Sequence, residues 1–122
     1  MSLVLVDKSA YVRGGIQAGP DDELCLCAVT RLELLYSARS ESDYGRLNQD
    51  LAEFRDLRMD AETFAVAITA QRELAAHGEH RVPIPDLLIA SCAQQHSAAV
   101  VHVDRHYDVL ARVLLFAPRR VG

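Results

Sequence analysis

The sequence predicts an α/β fold built on a mostly parallel sheet, and three observations predict it. Apolar runs of strand length alternate along the chain with stretches of helical periodicity. The runs LVLV (residues 3–6) and AAVVHV (residues 98–103) are almost continuously apolar, as strands buried on both faces are. Each run is closed by an acid, Asp7 and Asp104. In a parallel sheet, side chains at the carboxyl ends of strands gather in one crevice, the usual ligand site of that architecture.

Taken in order, residues 3–6 form the first strand and residues 8–17 a short helix, ended by the loop AGPDD (18–22). Residues 24–28 are a second strand. Thr30 then opens a helix with apolar positions Leu32, Leu34, Leu35 and Tyr36, fading over 37–40. Tyr44, Leu47, Leu51 and Phe54 have helical spacing, which predicts a helix over 41–55. Residues 57–59 are a weak strand candidate. Asp60 is an N-cap for a long helix through Phe64, Ile68 and Leu74, closed by Gly78. A loop over 77–84 leads to Pro85, suited to a first helical position, and a helix to about His96. The strand over 98–103 follows, then a short helix over Tyr107, Leu110 and Ala111. Residues 114–116 are a candidate last edge strand.

With 122 residues, half of them apolar and a quarter charged, the chain is one globular domain's worth of sequence, 1–122. No apolar stretch approaches the roughly 20 residues of a membrane span, and Asp7 interrupts the opening run, which reads as a strand rather than a signal peptide. Three cysteines, Cys25, Cys27 and Cys92, make no disulfide framework; they are expected to be reduced and buried, which suits a cytoplasmic protein. Cys25 and Cys27 alternate and should share one face of their strand. A net charge of −4 is awkward for a nucleic-acid binder. Four acids beside apolar runs, Asp7, Glu33, Asp86 and Asp104, account for that −4, leaving 13 acidic residues against 13 basic. All the basic residues but Lys8 are arginine, a side chain suited to bidentate phosphate contact; genome composition explains the same bias.

Four carboxylates in one crevice would repel at about 4 kcal/mol per pair, at 4 Å and an effective dielectric near 20. A hard divalent cation, Mg²⁺ or Mn²⁺, relieves that repulsion. Each acid also has a structural explanation. Asp7 can cap the first helix. Thr30 and Glu33 have capping-box spacing, which favours a structural Glu33. Asp86 sits in a first turn, where the helix dipole favours a carboxylate. Asp104 ends a strand, with Asp108 facing solvent or capping the short helix. His102 shares a strand face with Asp104 and is able to hydrogen-bond it or a substrate phosphate, but the favoured reading is a satisfied structural histidine. His77 and His80 lack zinc-ligand spacing, and no phosphate-binding glycine loop is present.

Four segments, LVDKSA (5–10), TRLEL (30–34), IPDLLIA (84–90) and VHVDRHY (101–107), resemble in order the four motifs of PIN-domain ribonucleases, most closely the VapC toxins of bacterial VapBC toxin–antitoxin pairs. The resemblance spans the chain and is most specific around Asp86. It implies a PIN-like three-layer α/β/α fold and makes Asp7, Glu33, Asp86 and Asp104 the catalytic, metal-binding acids for Mg²⁺ or Mn²⁺. Ser9 matches the hydroxyl that supports the first acid. His102, Arg105 and Asp108 become candidate supporting or substrate residues. His102 stands where many relatives have Thr or Ser, and His106 where many have a further acid. Also implied are a homodimer and neutralisation by a VapB-type antitoxin, in a heterotetramer or larger assembly, with a basic side chain reaching the acidic pocket.

The reaction expected is metal-assisted hydrolysis of RNA, with water as nucleophile and 5′-phosphate and 3′-hydroxyl products. Arg13, Arg39 and Arg105 are candidates for RNA backbone contacts. Two other readings remain: an inactive PIN-fold protein-binding module, and a phospho-accepting receiver domain, which needs a lysine near residue 100 that this chain lacks.

Overall fold

Five parallel strands and six helices alternate in the computed structural model, which describes residues 2–14, 16 and 18–121. In chain order they are β1 (Ser2–Val6), α1 (Lys8–Arg13), β2 (Asp22–Cys27), α2 (Ala28–Tyr36), α3 (Glu41–Leu51), β3 (Arg55–Leu57), α4 (Ala61–Ala75), α5 (Ile84–His96), β4 (Ala99–His102), α6 (His106–Leu110) and β5 (Ala117–Arg120). The strand order is β3-β2-β1-β4-β5, parallel throughout. A receiver domain has the order 2-1-3-4-5, so that reading is excluded.

Strand periodicity divides the core between the two faces of the sheet. Leu5, Cys25, Cys27, Leu57 and Val100 face one side, against Ala67, Ala70 and Leu74 of α4, Ile89, Cys92 and Ala93 of α5, and Leu110 of α6. Val4, Val6, Leu26 and Val101 face the other, against Ala10 of α1, Leu34 and Leu35 of α2 and Leu51 of α3. These are the expected three layers. Each large apolar side chain buried this way contributes about 1.5–3 kcal/mol. The three cysteines are buried and free, and Cys25 and Cys27 share a face. Among the described residues, no helix is long and apolar enough to cross a membrane.

Helix boundaries follow from local chemistry. Asp60 caps α4 through a reciprocal capping box with Thr63. α1 ends at Arg13, not near 17, because Gly14 takes a left-handed conformation at φ 68°; Gln17 lies outside the described residues. Pro85 occupies the first turn of α5, after Ile84.

Further expectations are corrected. The helix expected over 41–55 ends at Leu51, and residue 55 already belongs to β3. α2 begins directly from β2 with Cys27 at its N-cap and no side-chain cap bond, so Thr30 lies inside the helix and the Thr30–Glu33 capping box does not form. β3 lies at 55–57 rather than 57–59. The last strand is β5 at 117–120, not 114–116. Leu114 packs into the core instead, while the exposed APRR segment pairs with β4 through its backbone alone. Pro118 is tolerated there because β5 is an edge strand.

Candidate functional site

Asp7 sits immediately after β1 and caps α1. Its side chain is 4% exposed and fully engaged. Oδ2 accepts hydrogen bonds from the Ser9 backbone N–H (3.0 Å) and the Ser9 hydroxyl (2.6 Å), and Oδ1 accepts one from the Tyr107 hydroxyl (2.6 Å). Ser9 Oγ in turn accepts from the Val103 N–H (3.0 Å), tying the end of β4 to α1. Cap and site acid are therefore compatible roles, since the same donors that start the helix fix the carboxylate's position.

Asp86 and Asp104 arrive from opposite directions. Asp86 is in the first turn of α5, whose amino end lies at the crevice, and Asp104 follows β4 by two residues. His106, at the start of α6, stands between them. Its Nδ1 lies 2.8 Å from Asp104 Oδ1 and 3.2 Å from Asp86 Oδ2, and its backbone N–H donates to Asp104 Oδ1 at 3.0 Å. The Nδ1 contacts are close but poorly aligned for a hydrogen bond; they are ionic when the ring is protonated. One ligand atom from each of Asp86, Asp104 and His106 falls within 4.8 Å of the others.

The electrostatics show one congested pocket. Burial, then the charges of Asp7 and Asp104, push the Asp86 carboxyl up to about 7, with His106 pulling the other way. Glu33, on α2, is also raised, by burial and by Asp7, against a compensating Lys8. The capping explanation for Glu33 fails, and its charge is felt at Asp86. Burial works to raise Asp104 too, but His106, through its N–H and ring, holds it below its ordinary value. Carboxylate oxygens with one imidazole nitrogen suit a divalent cation, and the raised Asp86 marks the place where positive charge is lacking. The residues present therefore fit a divalent cation.

The remaining candidates separate. His102 is fully buried and neither ring nitrogen has a hydrogen-bond partner; it is therefore not the satisfied structural histidine expected, nor does its ring bond the Asp104 carboxylate, and it packs on Tyr107 with centroids 4.9 Å apart. Burial pushes its pKa down. Asp108 is exposed and lies 3.7 Å from Arg120. Arg105 and Arg13 line one depression beside Asp104, and Arg39 does not. A depression of about 740 Å³ lies at the opposite, amino-terminal edge of β1 and β4, lined by Ser2, Leu3, Ala98 and Ala99, and contains none of these acids.

Sequence reasoning missed Tyr107 as a site residue. It reads as an apolar member of a short helix, yet a fully buried tyrosine needs a partner for its hydroxyl; that requirement was the available signal. His106 was visible only as a departure from motif four.

Comparison with known proteins identifies the family and agrees with the fold. The family model "PIN domain" matches residues 6–113. Ribonuclease VapC17 of Mycobacterium tuberculosis is 40% identical over 120 residues, covering 93% of this chain and 90% of that protein. Ribonuclease VapC18 of the same species is 42% identical over 95 residues, covering 75% and 69%. Among solved structures, VapBC-5 from Mycobacterium tuberculosis superposes with a TM-score of 0.76 at 23% identity, covering 99% of this chain and 100% of that one. DNA-bound VapBC from Salmonella typhimurium gives 0.78 at 19% identity, covering 98% of each. By family match and by identity over nearly its whole length, the chain belongs to the PIN-domain family and, within it, to the VapC ribonucleases.

Proposed function

We propose that this chain is a Mg²⁺- or Mn²⁺-dependent endoribonuclease toxin, held in check by a VapB-type antitoxin in the cytoplasm. The observation that carries the reading is the convergence of Asp86, Asp104 and His106 within 4.8 Å beside two further acids, with Asp86 pushed up to about 7. Asp7, Glu33, Asp86 and Asp104 form the proposed ligand set, and His106 adds a nitrogen donor at its rim. A bound divalent ion supplies activation of water and stabilises charge at the scissile phosphate. The chain's own residues set the stage for that chemistry. Ser9 and Tyr107 orient Asp7, and the His106 N–H orients Asp104. His102 lies buried beneath Tyr107 and takes no part in proton transfer.

The resemblance also supports the partners. VapBC complexes are structural neighbours, and Val12, Leu32 and Tyr36 are exposed apolar side chains around the acids, 66%, 66% and 89% exposed. They offer an amphipathic antitoxin segment a surface, and a basic side chain on that segment would relieve the repulsion that the metal relieves. Phe64 and Ile68, one turn apart on α4 and both exposed, are proposed for a homodimer contact.

The test is cleavage of a mixed RNA pool by the purified protein in Mn²⁺, with 5′-phosphate ends mapped. Activity is expected to vanish in EDTA and in Asp86→Asn; activity surviving either would defeat the enzyme reading and favour an inactive PIN-fold binding module.

A further inference from the structure

A depression of about 480 Å³ opens beside Asp104, walled by Ser9, Val12, Arg13, Val103, Arg105 and Arg120. Three chain segments supply its cations: the last turn of α1, the turn before α6 and the carboxyl end of β5. Arg120 reaches it by strand alternation. Its neighbour Arg119 faces the other side and pairs with Asp22 at 3.1 Å.

Three arginines face one carboxylate, Asp104, in this depression, and none of them forms a close ion pair. Arg31, Arg55, Arg58, Arg112 and Arg119 each have a carboxylate partner. Among the described residues Arg13 and Arg105 have none, and Arg120 has only a 3.7 Å contact with Asp108 in which both side chains are more than half exposed. Such a contact contributes little. A second depression on the far side of Arg105, about 490 Å³, is more mixed, because Arg81 and Arg112 line it together with Glu79, which pairs with Arg112, and Asp108. Arg39, Arg46, Arg72 and Arg81 also lack a carboxylate partner among the described residues, but what sets Arg13, Arg105 and Arg120 apart is that three chain segments bring them together beside Asp104, in a chain whose net charge is −4.

We propose that the depression lined by Arg13, Arg105 and Arg120 holds the phosphates of single-stranded RNA next to the scissile bond. The proposal rests on the nuclease reading above and gives the substrate strand a direction across the site. Its wall includes Asp104 and Ser9, so a strand with one phosphate at the acids continues into the groove without crossing another surface. Guanidinium groups match phosphate oxygens bidentately. An acidic protein segment is the competing occupant, but it has no need of contact with the acids, whereas a substrate must touch both.

The test compares the chain with Arg13→Gln/Arg105→Gln/Arg120→Gln, both carrying Asp86→Asn so that RNA is held and not cut. Anisotropy of a fluorescent mixed-sequence single-stranded RNA is followed in Mg²⁺ over a series of KCl concentrations. Loss of three phosphate contacts is expected to flatten the slope of log K against log [KCl] by about 2, at roughly 0.7 per contact, and to weaken binding at least about tenfold. The triple Arg→Lys variant is the folding control; it retains the charges and is expected to keep the slope. Unchanged affinity and slope in the Gln variant would overturn the proposal. So would retained RNA binding with lost affinity for a poly-glutamate peptide. Cleavage by the chain with native Asp86 is assayed in parallel in Mn²⁺. Binding through the arginines without cleavage defeats the nuclease reading alone, and cleavage with an unaltered salt slope defeats the groove alone.

Discussion

Asp7 and Asp86 are both buried, at 4% and 8% exposure, and the fold treats them in opposite ways. Asp7 accepts three hydrogen bonds from Ser9 and Tyr107, so its charge is compensated within the protein. Asp86 has only the misaligned ring of His106 beside it and is pushed up to about 7. One carboxylate is held by donors of the scaffold, and the other is left in a crowded acidic pocket without a donor of its own. The difference teaches which carboxylate the protein's own donors hold in place and which one they leave without compensation.

Substituting each acid breaks the comparison most directly. Asp86→Asn is expected to lower RNA cleavage by more than the roughly 10–100-fold typical of groups that only orient ligands, while raising the melting temperature of the metal-free protein at neutral pH. Asp7→Asn is expected to abolish cleavage and also lower the melting temperature, because an amide cannot satisfy all three donors. Melting scans in EDTA beside Mn²⁺ cleavage assays distinguish the pair; equal stability changes would remove the contrast.

Tyr107→Phe tests the compensated half alone. It leaves a buried carboxylate one donor short, which costs about 1–3 kcal/mol, read by urea denaturation. A loss of cleavage of about 10–100-fold should accompany it. Wild-type activity in this variant would show that Tyr107 packs without positioning Asp7.

The uncompensated half predicts a pH dependence. Because the folded pKa of Asp86 is raised, its contribution to stability is fully present below its unfolded value of 3.8 and is lost as pH rises through about 7. Chelated protein should lose this stability across that window, and Mg²⁺ or Mn²⁺ should restore it at the neutral end. His102 acts with the opposite sign: its depressed ring removes stability as pH falls below its ordinary value of 6.5. The Asp86 effect is therefore measured as the difference between the chain and Asp86→Asn in denaturation midpoints across pH.

The smallest expected effect is at His102. A ring with two unpartnered nitrogens in the core should be improved on by a hydrocarbon, so His102→Leu is expected to stabilise by about 1 kcal/mol. It should also erase the acid-side loss, leaving cleavage intact; a destabilised variant would show a hydrogen bond hidden from the static structure.

Much of the fold was legible because its signals are local. The runs at 3–6 and 98–103 are apolar on both faces, as only a covered strand can be, and Asp60 with Thr63 starts α4 by its own hydrogen bonds. Where tertiary contacts outvote local chemistry, the reading failed. TRLE has capping-box spacing, yet β2 runs straight into α2 and leaves Thr30 buried within the helix. Leu114 has strand character and went to the core, while the exposed APRR segment became β5 through pairing that periodicity does not register.

By itself, the sequence determined the α/β class, the order of four acid-bearing motifs and the positions of Asp7, Asp86 and Asp104 at element ends, since all of these depend on residues near one another in the chain. Only the tertiary structure decided that Tyr107 engages Asp7, that His106 stands between Asp86 and Asp104, and that Arg120 joins Arg13 and Arg105 in one groove. Those contacts join residues that are far apart in the chain or placed by the turn after β4, and their geometry comes from the parallel sheet that brings β1, β4 and β5 side by side.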